Sequence, residues 1–143
     1  SGSQPLTLTS NDSGRFECRW VYLQVNEKSP CVFTRGIKSL YIPIAHGEGK
    51  VVAGPGALER LQIVLQYADE TGDTQAGYPH NPNGSVRSIA GICDDTGRIM
   101  ALMPHPERFI RWTQHPRWTR ETARQCGDGL QVFINAVAWV KGI

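Results

Sequence analysis

The stretch IAGICDDTGRIMALMPHPERF, Ile89 to Phe109, combines the chain's strongest local structure signal with its densest chemistry. Two apolar runs, Ser88-Ile89-Ala90-Gly91-Ile92-Cys93 and Arg98-Ile99-Met100-Ala101-Leu102-Met103, flank Asp94-Asp95-Thr96-Gly97. Apolar runs joined by a polar turn that closes on glycine predict a β-hairpin. Beyond the second run, a histidine stands between two prolines with a glutamate two residues later. Proline locks φ and disfavours the α region for the residue before it. Met103 and His105 each precede a proline, so the spacing predicts an extended, stiff segment. In extended backbone, residues i and i+2 face the same side. His105 and Glu107 are therefore expected to meet, with the carboxylate fixing the tautomer of the imidazole. That is two thirds of a nucleophilic triad, and it leaves the nucleophile to be found.

Outward from this segment, the chain reads as mixed α/β with an antiparallel component. Phe16 to Leu23 starts with the apolar/polar alternation of a half-buried strand, after the turn cluster Asn11-Asp12-Ser13-Gly14. Leu40 to Ala45 is a second short strand, and its Pro43 points to a sheet edge or a bulge. Pro55 to Leu61 predicts about two helical turns, and Ile63 to Tyr67 another strand. Thr71 to Ser85 is rich in Gly, Pro and Asn and reads as a long surface loop. A polar, Trp-rich stretch runs from Arg111 to Arg124. The last element is a helix, expected to be capped by Asp128, with Leu130, Phe133, Ile134, Val137 and Val140 on one face.

The chain has 143 residues, enough for one domain with a real core. Hydrophobic content is 40%, charged content 20% and net charge +2, which reads as soluble and globular. There is no basic nucleic-acid patch, no apolar run long enough for a membrane and no signal-peptide pattern. The opening Ser1-Gly2-Ser3-Gln4 looks like a linker or expression remnant, so residues 1–5 are expected to lie outside the domain proper and residues 6–143 within it. The four cysteines, Cys18, Cys31, Cys93 and Cys126, form no CxxC pair and no zinc spacing. Reduced thiols in a cytoplasmic protein are the plain reading.

None of the four is well placed as a nucleophile. Cys93 ends a strand that turns into Asp94-Asp95 rather than a helix, so no helix dipole points at it and two carboxylates oppose a thiolate. Cys18 lies inside a strand, and Cys31 follows a proline in a loop. Cys126 precedes Gly127-Asp128-Gly129, again beside a carboxylate. No GxSxG elbow offers a serine. A second His/Glu pair, His46 and Glu48 in His46-Gly47-Glu48-Gly49, sits among small residues that admit close approach of a backbone or ligand. It reads either as a tight polar turn satisfying loop amides or as part of a site. His80 and His115 are expected at the surface.

The segments SNDSGRFECRWV, SPCVFT, YIPIAHGEGK, NPNGS, IAGICDDTGRIMALMPHPERF, TQHPRWTR and GDGLQVFINAV, in that order, resemble the C-terminal half of the glutaminase component of phosphoribosylformylglycinamidine synthase, a class I glutamine amidotransferase. The resemblance runs from about Leu6 to Val140 and implies the C-terminal part of a flavodoxin-like α/β domain, with a mixed sheet and flanking helices. It also implies a Cys-His-Glu triad whose histidine and glutamate carry over to His105 and Glu107. Its cysteine belongs to a Gly-x-Cys-Asn-Gly elbow upstream of this segment. His46 and Glu48 fall in the HGEG signature, expected at the rim of the site or at a synthetase interface.

The implied substrate is L-glutamine. The implied partners are the remaining N-terminal half of the domain, a large synthetase component and a small accessory subunit. No cofactor is implied in this chain, since ATP and Mg²⁺ would serve the synthetase. On this reading the chain alone is inactive and exposes a sheet edge and apolar surface that favour self-association. Two other readings remain: a non-catalytic binding module that keeps the half-fold, and a zinc protein built on the His and Cys residues.

Overall fold

The computed structural model describes residues 5–143; the first four residues of the expected linker lie outside the described residues. Seven strands and one α-helix follow in order: β1 Leu6–Thr9, β2 Glu17–Val25, β3 Ser39–His46, β4 Lys50–Ala53, β5 Gln62–Ala68, β6 Ile89–Cys93, β7 Met100–Leu102 and α1 Leu130–Lys141. Five strands form one sheet in the order β3-β2-β5-β6-β7, and β1 pairs with β4 in a separate ribbon.

The α/β class holds. Within it, every strand pair among the described residues is antiparallel, where a mix of parallel and antiparallel pairs was expected. A parallel pair needs a crossover, usually a helix. Here the one α-helix of the described residues comes after the last strand.

Alternation in β2 places Val21, Leu23 and Val25 on the buried face, where they join Ile42, Ile44, Val64 and Leu65. The hairpin read from Ile89 to Met103 forms as β6 and β7, with Gly91 opposite Leu102 and Cys93 opposite Met100. Its turn is held by Asp94, whose carboxylate accepts from the side chain and amide of Thr96 and from the amides of Ile99 and Arg98. These bonds, led by the Thr96 hydroxyl, pull the Asp94 pKa down to about 2. Gly97 closes the turn at φ +70°, and a Cβ there would sit 2.1 Å from the Pro30 carbonyl oxygen. Glycine is required on both counts.

Pro43 lies in β3, which is an edge strand as its proline foretold. The predicted helix over Pro55 to Leu61 reduces to one 3₁₀ turn, Leu58–Arg60. Gly56 enters the left-handed region at φ +68°, and Leu61 is already extended toward β5, so no second turn fits.

The last helix differs from expectation at its cap. Gly129, not Asp128, occupies the N-cap, because the Asp128 carboxylate is engaged elsewhere. Its apolar face is turned outward: Phe133, Ile134, Val137 and Val140 are exposed, and Val132 is the buried residue. Asn135 docks the helix by donating to the Phe33 and Arg35 carbonyls. No helix is long and apolar enough to cross a membrane among the described residues.

Candidate active site

The MPHPERF segment leaves β7 and packs across the outer edge of β3. The His105 amide donates to the Pro43 carbonyl at 2.8 Å. His105 has φ −108° and ψ 86°, short of the extended region, and Pro106–Arg108 then forms a 3₁₀ turn, where extended chain was expected. The pair still meets: His105 Nδ1 lies 2.7 Å from Glu107 Oε1. A tight 3₁₀ turn also brings residues two apart within reach. The carboxylate accepts from Nδ1–H, which leaves Nε2 as the ring atom able to exchange protons. Both side chains are reachable from solvent.

Phe109 anchors the turn as a fully buried ring. It lies at the centre of an aromatic cluster, 5.0 Å from Trp20 and 5.5 Å from His115. His115, expected at the surface, is buried at 3% exposure and stacks on Trp112 at 4.7 Å. His80 is half-buried in its loop. The Arg117 amide donates to His115 Nδ1, so this imidazole is neutral there. Burial lowers the His115 pKa; Glu121 and Asp128 oppose the shift, and Arg117 and Arg124 reinforce it.

His46 follows the same logic, with its pKa lowered chiefly by burial. A histidine with a depressed folded pKa takes up its proton more readily when unfolded. Its stabilising contribution is therefore complete above the unfolded value, about 6.5, and is lost as pH falls toward the folded value. Thermal unfolding between pH 7.5 and pH 5 should show a midpoint that falls below pH 6.5. Replacing His115 with Gln should flatten that slope.

The second His/Glu pair separates. Glu48 points to solvent, while His46 is 6% exposed inside a polar network. Asn11 Nδ2 donates to the His46 and Arg15 carbonyls, which turns its Oδ1 toward His46 Nδ1 at 3.0 Å and the Gly49 amide at 3.2 Å. His46 is thereby an Nδ1–H tautomer. From the other side, fully buried Asn83 donates to the Gly49 carbonyl and the Tyr67 hydroxyl and accepts from Ser85. The 46–49 loop is clamped by two asparagines, Asn11 and Asn83, whose sequence context marks them only as turn formers. Replacing Asn83 with Ala would strand several buried polar groups and should destabilise by about 3 kcal/mol, measured by denaturant titration.

The cysteines stand apart from the dyad's hydrogen bonds. Cys93 is buried with Sγ 3.6 Å from Ser29 Oγ, and burial raises its pKa. Cys31 Sγ is 3.6 Å from Met100 Sδ, Cys18 is exposed on β2 and Cys126 is partly buried. Among the described residues, no group of three or more His, Cys, Asp or Glu side chains could hold a metal ion.

Residues 1–140 match the family described as CobB/CobQ-like glutamine amidotransferase domain. A phosphoribosylformylglycinamidine synthase subunit PurQ from Dehalococcoides mccartyi is 55% identical over 140 residues, covering 98% of this chain and 55% of that protein. The subunit of the same name from Methanococcus maripaludis is 44% identical, covering 96% and 56%. A chain of the PurLQS structure from Thermotoga maritima superposes with a TM-score of 0.66 at 31% identity, covering 96% of this chain and 54% of that one. The chain thus spans about half the length of the relatives it matches. A two-asparagine clamp, a His-Glu pair on an edge-anchored turn and a match over nearly all of its residues lead to one conclusion: the chain belongs to the CobB/CobQ-like glutamine amidotransferase family.

Proposed function

We propose that this chain supplies the acid–base half of a glutaminase site within phosphoribosylformylglycinamidine synthase. The observation that carries the reading is the 2.7 Å contact of His105 Nδ1 with Glu107 Oε1 on a turn fixed to a strand edge. A cysteine from the part of the protein beyond this chain attacks the side-chain amide carbon of L-glutamine. His105 Nε2 takes the thiol proton and returns it to the departing ammonia, leaving a thioester. Water then adds with His105 again as base, releasing glutamate and the thiol. Glu107 holds Nδ1–H and stabilises the imidazolium formed in each half.

The ammonia passes to a large synthetase component, assisted by a small accessory subunit, which uses ATP and Mg²⁺ to form the amidine of purine biosynthesis in the cytoplasm. Glu48, exposed on the clamped loop, is proposed as the rim residue facing the synthetase. The remaining half of the domain would cover two apolar surfaces. One is a hollow of about 430 Å³ between the β1–β4 ribbon and the β6–β7 hairpin, beside the free edge of β7; the other is the outer face of α1. The greater length of the relatives supports this.

The test measures glutamate release from L-glutamine by the protein carrying the rest of its domain, with and without the synthetase component. Release that depends on His105 supports the reading. Glutamine binding without hydrolysis would replace it with a non-catalytic module.

A further inference from the structure

The turn that bears His105 and Glu107 is held from two sides, and the two supports are themselves connected. On one side is the outer edge of β3, where Tyr41 and Pro43 are two residues apart and so point their main-chain groups the same way. The Pro43 carbonyl receives the His105 amide. Proline has no N–H to leave unpaired in that direction. On the other side is Gly127-Asp128-Gly129, just ahead of α1. The Gly129 amide donates to the Phe109 carbonyl at 2.9 Å and the Gly127 amide to that of Ile110 at 3.1 Å.

The two glycines serve space here, not conformation. Gly129 has φ −65° and ψ −22°, open to any residue. A Cβ on it would come within 1.9 Å of the Pro106 carbonyl oxygen, and one on Gly127 within 2.3 Å of the Phe109 carbonyl oxygen. Asp128 joins the two supports: its Oδ2 accepts the Tyr41 amide at 2.9 Å and its Oδ1 accepts from Arg124 Nη1 at 2.8 Å. A ring of contacts therefore runs from Tyr41 through Pro43, His105, the 106–109 turn and Gly129 to Asp128 and back. Every link is main chain to main chain except the one made by Asp128.

We propose that Asp128 is a positioning residue for the His105–Glu107 pair, setting the gap between the β3 edge and the Gly127–Gly129 turn in which the catalytic turn is seated. Asp128 touches neither reacting atom and acts through the backbone beneath the imidazole. The proposal rests on His105 and Glu107 being the acid–base pair. Removing the link lets the turn shift, and a misplacement of about 1 Å is worth up to roughly 10²-fold in rate.

The experiment compares Asp128→Ala and Asp128→Asn in the protein carrying its whole domain and bound to its synthetase. Asp128→Ala should lower kcat about 10- to 100-fold with the glutamine KM changed less than about threefold. Asp128→Asn keeps the acceptor for the Tyr41 amide and should restore kcat to within about threefold. A second readout is the downfield proton resonance of His105 Nδ1–H, which should broaden or move in Asp128→Ala and persist in Asp128→Asn. If Asp128→Ala does not fold, Asp128→Ser, whose hydroxyl acceptor is one bond shorter and draws back from the Tyr41 amide, is read by the same criteria. A lowered melting point with unchanged kcat and an unchanged His105 resonance would reduce Asp128 to a structural brace and overturn the proposal. So would an Asp128→Asn variant as impaired as Asp128→Ala. Should the unsubstituted complex release no glutamate, the glutaminase reading fails. The His105 resonance still decides the positioning role.

Discussion

Replacing His105 with asparagine in the assembled protein is expected to lower glutamine hydrolysis by a factor on the order of 10³ or more. Asparagine preserves polarity and approximate size, yet an amide has no proton to exchange near neutral pH. It can neither take the thiol proton nor return it to ammonia. The backbone around it should not respond, because Pro104, Pro106 and the bond to the Pro43 carbonyl fix the chain independently of the ring. The site is also partly exposed, so unfolding stability should change by no more than about 0.5 kcal/mol. Glu107→Gln keeps the shape but removes the charge that stabilises the imidazolium at 2.7 Å. It should lower kcat with little change in glutamine affinity. Initial rates of glutamate release at varied glutamine concentration separate these effects. Turnover that survives His105→Asn would mean that the proton carrier is another residue.

The second large effect concerns the 143-residue chain by itself. Its glutaminase rate should lie about 10⁴- to 10⁶-fold below that of the assembled enzyme, the typical loss when a triad nucleophile is absent. Cys93 is the cysteine whose sequence context most invites a catalytic role. It is buried, its thiol faces the Ser29 hydroxyl, and its pKa is pushed upward, each of which opposes thiolate formation. Cys31 packs against a thioether. Adding the separately produced remainder of the domain should restore activity, and Cys93→Ser and Cys126→Ser should leave the restored rate unchanged. A chain that hydrolyses glutamine alone at the assembled rate, and loses this on either serine substitution, would show the nucleophile to be here.

The hairpin and the edge position of Pro43 were legible because each rests on local rules; His105 and Glu107 meet as expected, but through a 3₁₀ turn and not extended chain. Turn chemistry and the missing proline donor act within a few residues. What the sequence concealed depends on distant partners. Asp128 has the profile of a helix cap, and only the Tyr41 amide, 87 positions away, explains why it does not cap. Asn11 and Asn83 look like turn residues until they are seen clamping one loop from both sides. His115 follows a polar tract and precedes a proline, as surface histidines often do, but a cluster of four other aromatic rings encloses it. The apolar stripe of α1 is legible as a stripe, but its outward orientation is not. Periodicity shows that a face is apolar but does not identify what covers it.

The ring that seats His105 also sets an order of events during synthesis. Ribosomes deliver β3 early, MPHPERF much later, and Asp128 later still, so the last brace becomes available only when α1 is about to emerge. A nascent chain halted after Phe109 would carry His105 and Glu107 without the floor that holds them in place. Seating of the His105–Glu107 pair is therefore tied to translation beyond Asp128, whatever chain precedes or follows it.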